Sequence, residues 1–262
     1  MGDYIMRIDL HGSERLDDLL THELKIVQSK EVFSFSMDAV LLAHFPAIPS
    51  KGKIVDLCSG NGVIPLLMSV KTKGRIYGVE IQERLVDMAN RSIKMNQLED
   101  QITMLHLDLK EAPDQLGRNQ FDLVTVNPPY LPINGQDKNE NEHIAIARHE
   151  LYTHLDEVIQ VSSQLLKVGG RIAMVHRPSR LVDIISSMRN AQLEPKKIRF
   201  IHPHANKEAN MVLVEGKKLG GKELHVLPPL IVYKEDGEYQ DEIYQIYYGE
   251  NKDSDNAKRV KD

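Results

Sequence analysis

Short apolar runs alternate with stretches of helical periodicity through most of this chain. Lys53 to Leu57 reads as a short buried strand, and Val63 to Val70 as the helix after it. Arg75 to Glu80 and Glu83 to Asn96 repeat the pair. Gln101 to Leu107 and Phe121 to Asn127 are further strands. Glu150 to Leu166 is helical and stops at Gly169-Gly170. Arg171 to His176 is a strand, with a helix starting near Pro178. This rhythm predicts an α/β fold, a mainly parallel sheet with helices on both faces. Beyond Asn190 the pattern changes. Lys197 to Ile201 and Met211 to Glu215 are separated only by a polar loop, which predicts a terminal antiparallel pair. Leu224 to Tyr233 reads as extended, and Glu250 to Asp262, polar and aperiodic, as disordered. Ahead of the rhythm, Ser13 to Leu20 and Ser36 to Phe45 read as short helices of a lid. The expected divisions are a lid over 1–50, the main domain over 51–220, an extension over 221–249 and a tail over 250–262.

Composition narrows this frame. The chain has 262 residues, 41% hydrophobic and 27% charged, ordinary values for one globular α/β domain with a modest appendage. No stretch approaches the roughly 20 apolar residues of a membrane span. The first residues carry no apolar signal-peptide core. Cys58 is the single cysteine, so no internal disulfide forms, which fits a reducing cytoplasm. No Cys/His spacing reads as a metal site. The net charge of −5 does not point to nucleic acid, but Lys167 to Lys222 holds twelve Lys or Arg against four Asp or Glu. That window is either a solvated basic face or a footprint for phosphate.

The first strand of the rhythm ends in Asp56-Leu57-Cys58-Ser59-Gly60-Asn61-Gly62. A glycine-rich turn before a helix lets a ligand approach the backbone and meet free N–H groups. Glu80 ends the next strand, where an acid accepts the two hydroxyls of a ribose. Together these suit a nucleoside cofactor. A dinucleotide fingerprint wants a third glycine, and Pro65 stands there. The carboxylate of Asp56 disfavours pyrophosphate and favours a cationic amine. The arrangement resembles the first motif of S-adenosylmethionine-dependent methyltransferases, with Glu80 at the ribose diol and the following Ile81 also at the cofactor. The resemblance implies that Asp108 meets the adenine amino group with help from the backbone of Leu109. The family commonly has glycine where this chain has Cys58.

The fourth strand then delivers Asn127-Pro128-Pro129-Tyr130. An amide or exocyclic nitrogen is a poor nucleophile because its lone pair is delocalised. Two acceptors aimed at its hydrogens favour a pyramidal nitrogen and take up the charge that develops as a methyl arrives. The Asn127 side-chain oxygen and the Pro128 carbonyl supply them. The prolines stiffen the loop, and Tyr130 offers a face on which a planar group stacks.

Phe33 to Ala43, Ala147 to Glu150, His176 to Leu181 and Pro195 to Arg199 complete a resemblance to the bacterial tRNA adenine-N6 methyltransferases that modify the adenine 3′ of the anticodon in a valine tRNA. It runs from about Leu16 to Tyr233. It implies a Rossmann-like seven-stranded methyltransferase sheet, S-adenosylmethionine as donor, a tRNA partner, no metal and a cytoplasmic enzyme, with a monomer favoured. It places Asp38 over the donor and gives Arg148, Arg177, Arg180, Lys196, Lys197 and Arg199 as candidate phosphate contacts. Methylation of another planar nitrogen, a protein glutamine N5 or an rRNA base, is the alternative. A release-factor enzyme would bring a longer N-terminal domain than the fifty or so residues ahead of the first strand.

Overall fold

The computed structural model describes residues 9–19, 23–32, 36–128 and 154–249. At its centre lies β3 (Lys53–Leu57), flanked by β4 (Arg75–Glu80) and β6 (Phe121–Val126). Both neighbours run parallel to it, with Leu57 opposite Val79 on one side and Val126 on the other. These strands are buried on both faces, which is why their sequences are continuous apolar runs rather than alternating ones. β5 (Ile102–His106) closes one side. On the other follow β7 (Leu166–His176), β9 (Met211–Lys218) and β8 (Leu193–His202). β9 is antiparallel to both neighbours, the expected terminal pair. Seven strands, β3 to β9, therefore carry the fold. Two two-residue strands, β10 (His225–Val226) and β11 (Leu230–Ile231), add to β8 and raise the sheet to nine.

Helices cover both faces. α1 (Met37–His44), α2 (Val63–Ser69) and α3 (Glu83–Met95) share one core with α7 (Asp241–Tyr248). α4 (Ala112–Leu116), α5 (Leu155–Leu165) and α6 (Leu181–Asn190) build the other. α3 shows the mechanism plainly: Leu85, Val86, Met88, Ala89, Ser92 and Ile93 are buried at helical spacing, and charged residues fill the opposite face.

Three differences from the sequence reading have physical causes. Ser13 to Leu20, read as a helix, holds β1 (Glu14–Asp18), paired antiparallel with β2 (Lys25–Ser29). The pairing is tertiary. β2 buries Ile26 and Val27 completely, and its backbone is held by α3. Val27 N–H donates to Ser92 Oγ at 2.9 Å, and the Asn96 amide bonds both backbone groups of Lys25. Arg91 then grips both oxygens of Glu14 at 2.6 and 2.8 Å. Second, β7 begins at Leu166, ahead of the glycine pair. Phe121 pairs with Leu166 and Leu123 with Arg171, so the glycines sit at an irregularity inside the strand. A side chain on Gly170 would meet the Phe121 carbonyl at 3.0 Å. Third, α7 was not expected. The loop from Leu131 to Ile146 and the tail from Glu250 lie outside the described residues.

Candidate functional site

The carboxyl ends of β3, β4, β5 and β6 meet at one edge of the sheet, where open α/β sheets bind ligands. β3 breaks at Cys58, whose φ of +56° is one that side chains rarely adopt. Gly60 (+55°) and Gly62 (+82°) take left-handed turns beside it. Gly62 opens α2, and a Cβ there would stand 3.1 Å from that of Ala89. Ser59 N–H donates to the Val79 carbonyl on β4 at 3.0 Å, fixing the loop between strands. Asn61 is buried and donates its amide to the Val27 carbonyl at 3.1 Å. The N-terminal hairpin is thereby tied to the glycine loop.

Two acids are folded into this edge. Asp56 is fully buried. Its Oδ1 accepts from Thr125 Oγ1 at 2.7 Å across the β3–β6 pair, and its Oδ2 has no hydrogen-bond partner among the described residues. Burial pushes its pKa up to about 7. The Thr125 and Ser59 hydroxyls pull the other way, and the charge of Glu80 adds to the rise. Glu80 is nearly buried at the end of β4. Its Oε2 accepts from Gly60 N–H at 2.9 Å and its Oε1 from Gln82 N–H at 3.0 Å. Burial raises its pKa, and these backbone donors oppose the rise. The carboxylate has about four acceptor sites, more than its backbone donors fill.

These groups fit a sulfonium amino-acid nucleoside. The spare, buried oxygen of Asp56 suits an ammonium. The Glu80 oxygens, already oriented by backbone donors, suit a ribose diol. Ile81, 38% exposed beside Glu80, offers an apolar surface to a flat base. Asp108 is half-buried, and its Oδ1 caps a short 3-10 turn by accepting from Lys110 N–H at 3.0 Å, with Leu109 buried behind it. Among the described residues its Oδ2 accepts no hydrogen bond, which leaves it for an amino group. Asp38 lies buried at the start of α1 and accepts from Ser36 Oγ and Ala39 N–H.

Asn127 follows the last residue of β6, so it stands at the carboxyl edge next in line to Cys58. It is half-buried, and Pro128 is buried. Pro129, Tyr130 and Arg148 lie outside the described residues. The structure thus brings Asp56, Cys58, Gly60, Asn61, Gly62, Glu80 and Asn127 together on adjoining strand ends. Sequence reasoning missed Thr125 and Ser59. The signal for Thr125 was available only through register: it precedes Asn127 by two residues, as Asp56 precedes Cys58.

The candidate phosphate contacts divide. Arg177 and Arg180 follow β7 at the same edge. Arg177 donates to the Asn210 carbonyl at 3.3 Å, and Arg180 pairs with Asp183 at 2.9 Å. Lys196, Lys197 and Arg199 lie along β8, engaged within the fold. Lys196 donates to the Gly221 carbonyl, and Lys197 pairs with Glu215 at 3.2 Å. Arg199 forms a two-pronged pair with Glu242 at 2.6 and 2.8 Å. The neighbouring His176 is buried, with burial pulling its pKa down to about 4, so its ring is neutral.

Residues 23–191 match the model of the methyltransferase small domain family. A Porphyromonas gingivalis protein named tRNA1(Val) (adenine(37)-N6)-methyltransferase is 25% identical over 68% of this chain and 72% of its own length. An Aeromonas hydrophila protein of the same name is 24% identical over 80% of this chain and 86% of its own. Among solved structures, a predicted O-methyltransferase of Agrobacterium tumefaciens aligns with a TM-score of 0.66 at 21% identity, covering 81% of this chain and 96% of the other. A Thermotoga maritima SAM-dependent O-methyltransferase aligns at 0.52 with 13% identity, covering 73% and 68%. These structures share the fold.

Proposed function

The chain belongs to the methyltransferase small domain family, and on that premise we propose that it transfers a methyl group from S-adenosylmethionine to the exocyclic N6 of an adenine in tRNA, the one next to the anticodon. The observation that carries the reading is the position of Asn127. It follows β6 directly, beyond the point where Val126 lies opposite Leu57, the last residue of β3 before the glycine loop. Names shared by the Porphyromonas and Aeromonas relatives support adenine N6 as the target.

When bound, S-adenosylmethionine supplies an electrophilic methyl on a sulfonium. The chain's own residues do the rest. Asp56, Glu80 and Asp108 hold the donor's ammonium, ribose and adenine amino group, and Asp38 covers it from α1. The Asn127 amide oxygen and the Pro128 carbonyl accept the two hydrogens of the target amine and stabilise its growing positive charge. Such preorganised groups commonly contribute about 3–4 kcal/mol. Pro129 stiffens this loop and Tyr130 stacks on the base. The amine loses its proton after it has become cationic, so attack requires no general base. Holding the two reactants in line supplies much of the remaining acceleration.

No helix among the described residues is long and apolar enough to cross a membrane. The reading puts the enzyme in the cytoplasm, as a monomer acting on tRNA. The test incubates the protein with labelled donor and the total tRNA of a strain lacking this gene. Label should enter the RNA. Label in a protein glutamine and none in RNA would overturn the reading in favour of the glutamine alternative.

A further inference from the structure

At the opposite edge of the sheet, where β3 and β4 begin, two loops are pinned together. Lys73 N–H donates to the Ser50 carbonyl at 3.0 Å and Arg75 N–H to the Gly52 carbonyl at 2.9 Å. Thr72 Oγ1 reaches the Pro49 carbonyl at 2.6 Å. A Cβ on Gly74 would lie 2.6 Å from the Gly52 carbonyl oxygen, so the loops touch backbone to backbone. This small rigid platform carries Lys51, Lys53, Lys71, Lys73 and Arg75. All but Lys53, which is half-buried, are exposed.

The platform is short of counter-charge. Lys51, Lys71, Lys73 and Arg75 take part in none of the ion pairs found among the described residues. Its nearest carboxylates are few. Asp122 is shared between Lys167 and the Lys53 N–H, and Glu99 and Asp100 are exposed on the turn before β5. Lys71 is exposed overall, yet loss of hydration around its ammonium pulls its pKa to about 8. Burial, aided by the Lys71 charge, pulls the His44 pKa down to about 4. Beside the platform an open groove of about 420 Å³ runs from Ile48 and Pro49 to Lys167 and Arg171. The joined loops hold these cations close together, so an anion arriving there orders side chains but not backbone.

We propose that this basic platform binds phosphodiester groups of the substrate tRNA outside the anticodon loop. The inference rests on the tRNA reading above. β3 spans five residues, so the two edges of the sheet stand on the order of 15 Å apart at roughly 3.3 Å per residue. A chain of this length has a radius of gyration of about 18 Å. A tRNA presented at one edge is large enough to reach around to the other. Phosphate contacts of this kind set affinity and orientation and leave the choice of base to the carboxyl edge.

The experiment compares the full chain with its Lys51→Gln/Lys73→Gln/Arg75→Gln variant. It measures the Kd for whole tRNA and for the isolated anticodon stem-loop across a salt series, together with donor Kd and kcat at saturating tRNA. The expected result is a tenfold or greater weakening for whole tRNA. The log–log salt slope should shrink by about 2–3, near 0.9 per lost phosphate contact. The stem-loop Kd, donor Kd and kcat should stay unchanged. An unchanged tRNA Kd overturns the proposal, as does an equal weakening for the stem-loop or a parallel loss of donor affinity. Wild-type protein that binds tRNA without methylating any RNA would sink the methylation reading while leaving the Kd comparison decisive for the platform.

Discussion

At the carboxyl edge of the sheet, Asp38, Asp56 and Glu80 are 5%, 0% and 6% exposed, and Cys58 holds a left-handed φ. At the amino edge, Lys51, Lys73 and Arg75 stand in solvent and Lys71 is partly desolvated, beside loops closed by ordinary backbone hydrogen bonds. The same strands supply both. Asp56 and Lys53 are three positions apart on β3, and Glu80 and Arg75 end and begin β4. The difference lies in what each edge asks of its partner. On the proposed reading, the buried acids act strongly at short range on one small cation and a diol, because low dielectric magnifies each contact. Exposed cations act weakly and additively on a polyanion, and salt screens them. A sheet can therefore separate chemistry from retention of a large substrate without a second domain.

The largest effect expected from breaking the contrast is at Asn127. Asn127→Ala should lower kcat by a hundredfold or more and leave donor Kd within a few-fold, as measured by single-turnover kinetics beside calorimetry. Equal losses in both would make Asn127 a structural residue. Glu80→Gln comes next. It keeps the shape and removes the charge that Gly60 and Gln82 N–H orient, so donor Kd should rise about 10- to 100-fold, the range for hydrogen bonds to charged groups. tRNA Kd should not move. A shift in tRNA Kd would dissolve the distinction between the edges.

The pH dependence is smaller and carries a definite sign. The folded pKa of Asp56 lies near 7, above the ordinary carboxylate value. Between about pH 4 and 7 the unfolded chain has released this proton while the fold keeps it, so this group's contribution to stability falls as pH rises through that window. A cationic donor favours the ionised form. Donor affinity should therefore strengthen from pH 6 towards about pH 7.5 and weaken again above about pH 8, where the donor's own α-ammonium loses its proton. Asp56→Asn, which keeps an acceptor for Thr125, should bind weakly and lose the rise. A rise that survives in that variant would assign the titration elsewhere. The smallest effect is at Cys58. Glycine there relieves a left-handed backbone worth roughly 1–2 kcal/mol, offset in part by the greater freedom of the unfolded chain. Differential scanning calorimetry should show Tm up by about 1–3 °C. A fall would mean that the thiol's packing outweighs the strain.

What could be read from the sequence follows the same division. Lys53 to Leu57 and Arg75 to Glu80 were legible to the residue because they are apolar runs bounded by Gly, Pro and charged residues. Asp56 and Glu80 were legible because strand-end position is a matter of local spacing. The N-terminal hairpin was not. β1 has no apolar face of its own and exists through pairing with β2 and the Arg91 grip on Glu14. α7 was missed because its eight residues, rich in Tyr and Ile, are held by groups distant in the chain, with Ile243 buried in the core of α1 to α3 and Glu242 paired with Arg199. The bond from Thr125 to Asp56 depends on register between strands 69 residues apart. Charge counting along the chain drew attention to Lys167 to Lys222, yet Lys197 and Arg199 are engaged by Glu215 and Glu242. Lys51, Lys71, Lys73 and Arg75, which form no ion pair among the described residues, gather only when two loops close on each other.

The central claim is that the strand-end amide serves a planar exocyclic nitrogen, and one measurement addresses it directly. tRNA methylated by the protein with labelled donor is hydrolysed to nucleosides, and the label is identified by chromatography with mass spectrometry. The account predicts label in N6-methyladenosine alone. Label on a ring nitrogen or ring carbon, which offers no pair of amine hydrogens for Asn127 and Pro128 to accept, would contradict it.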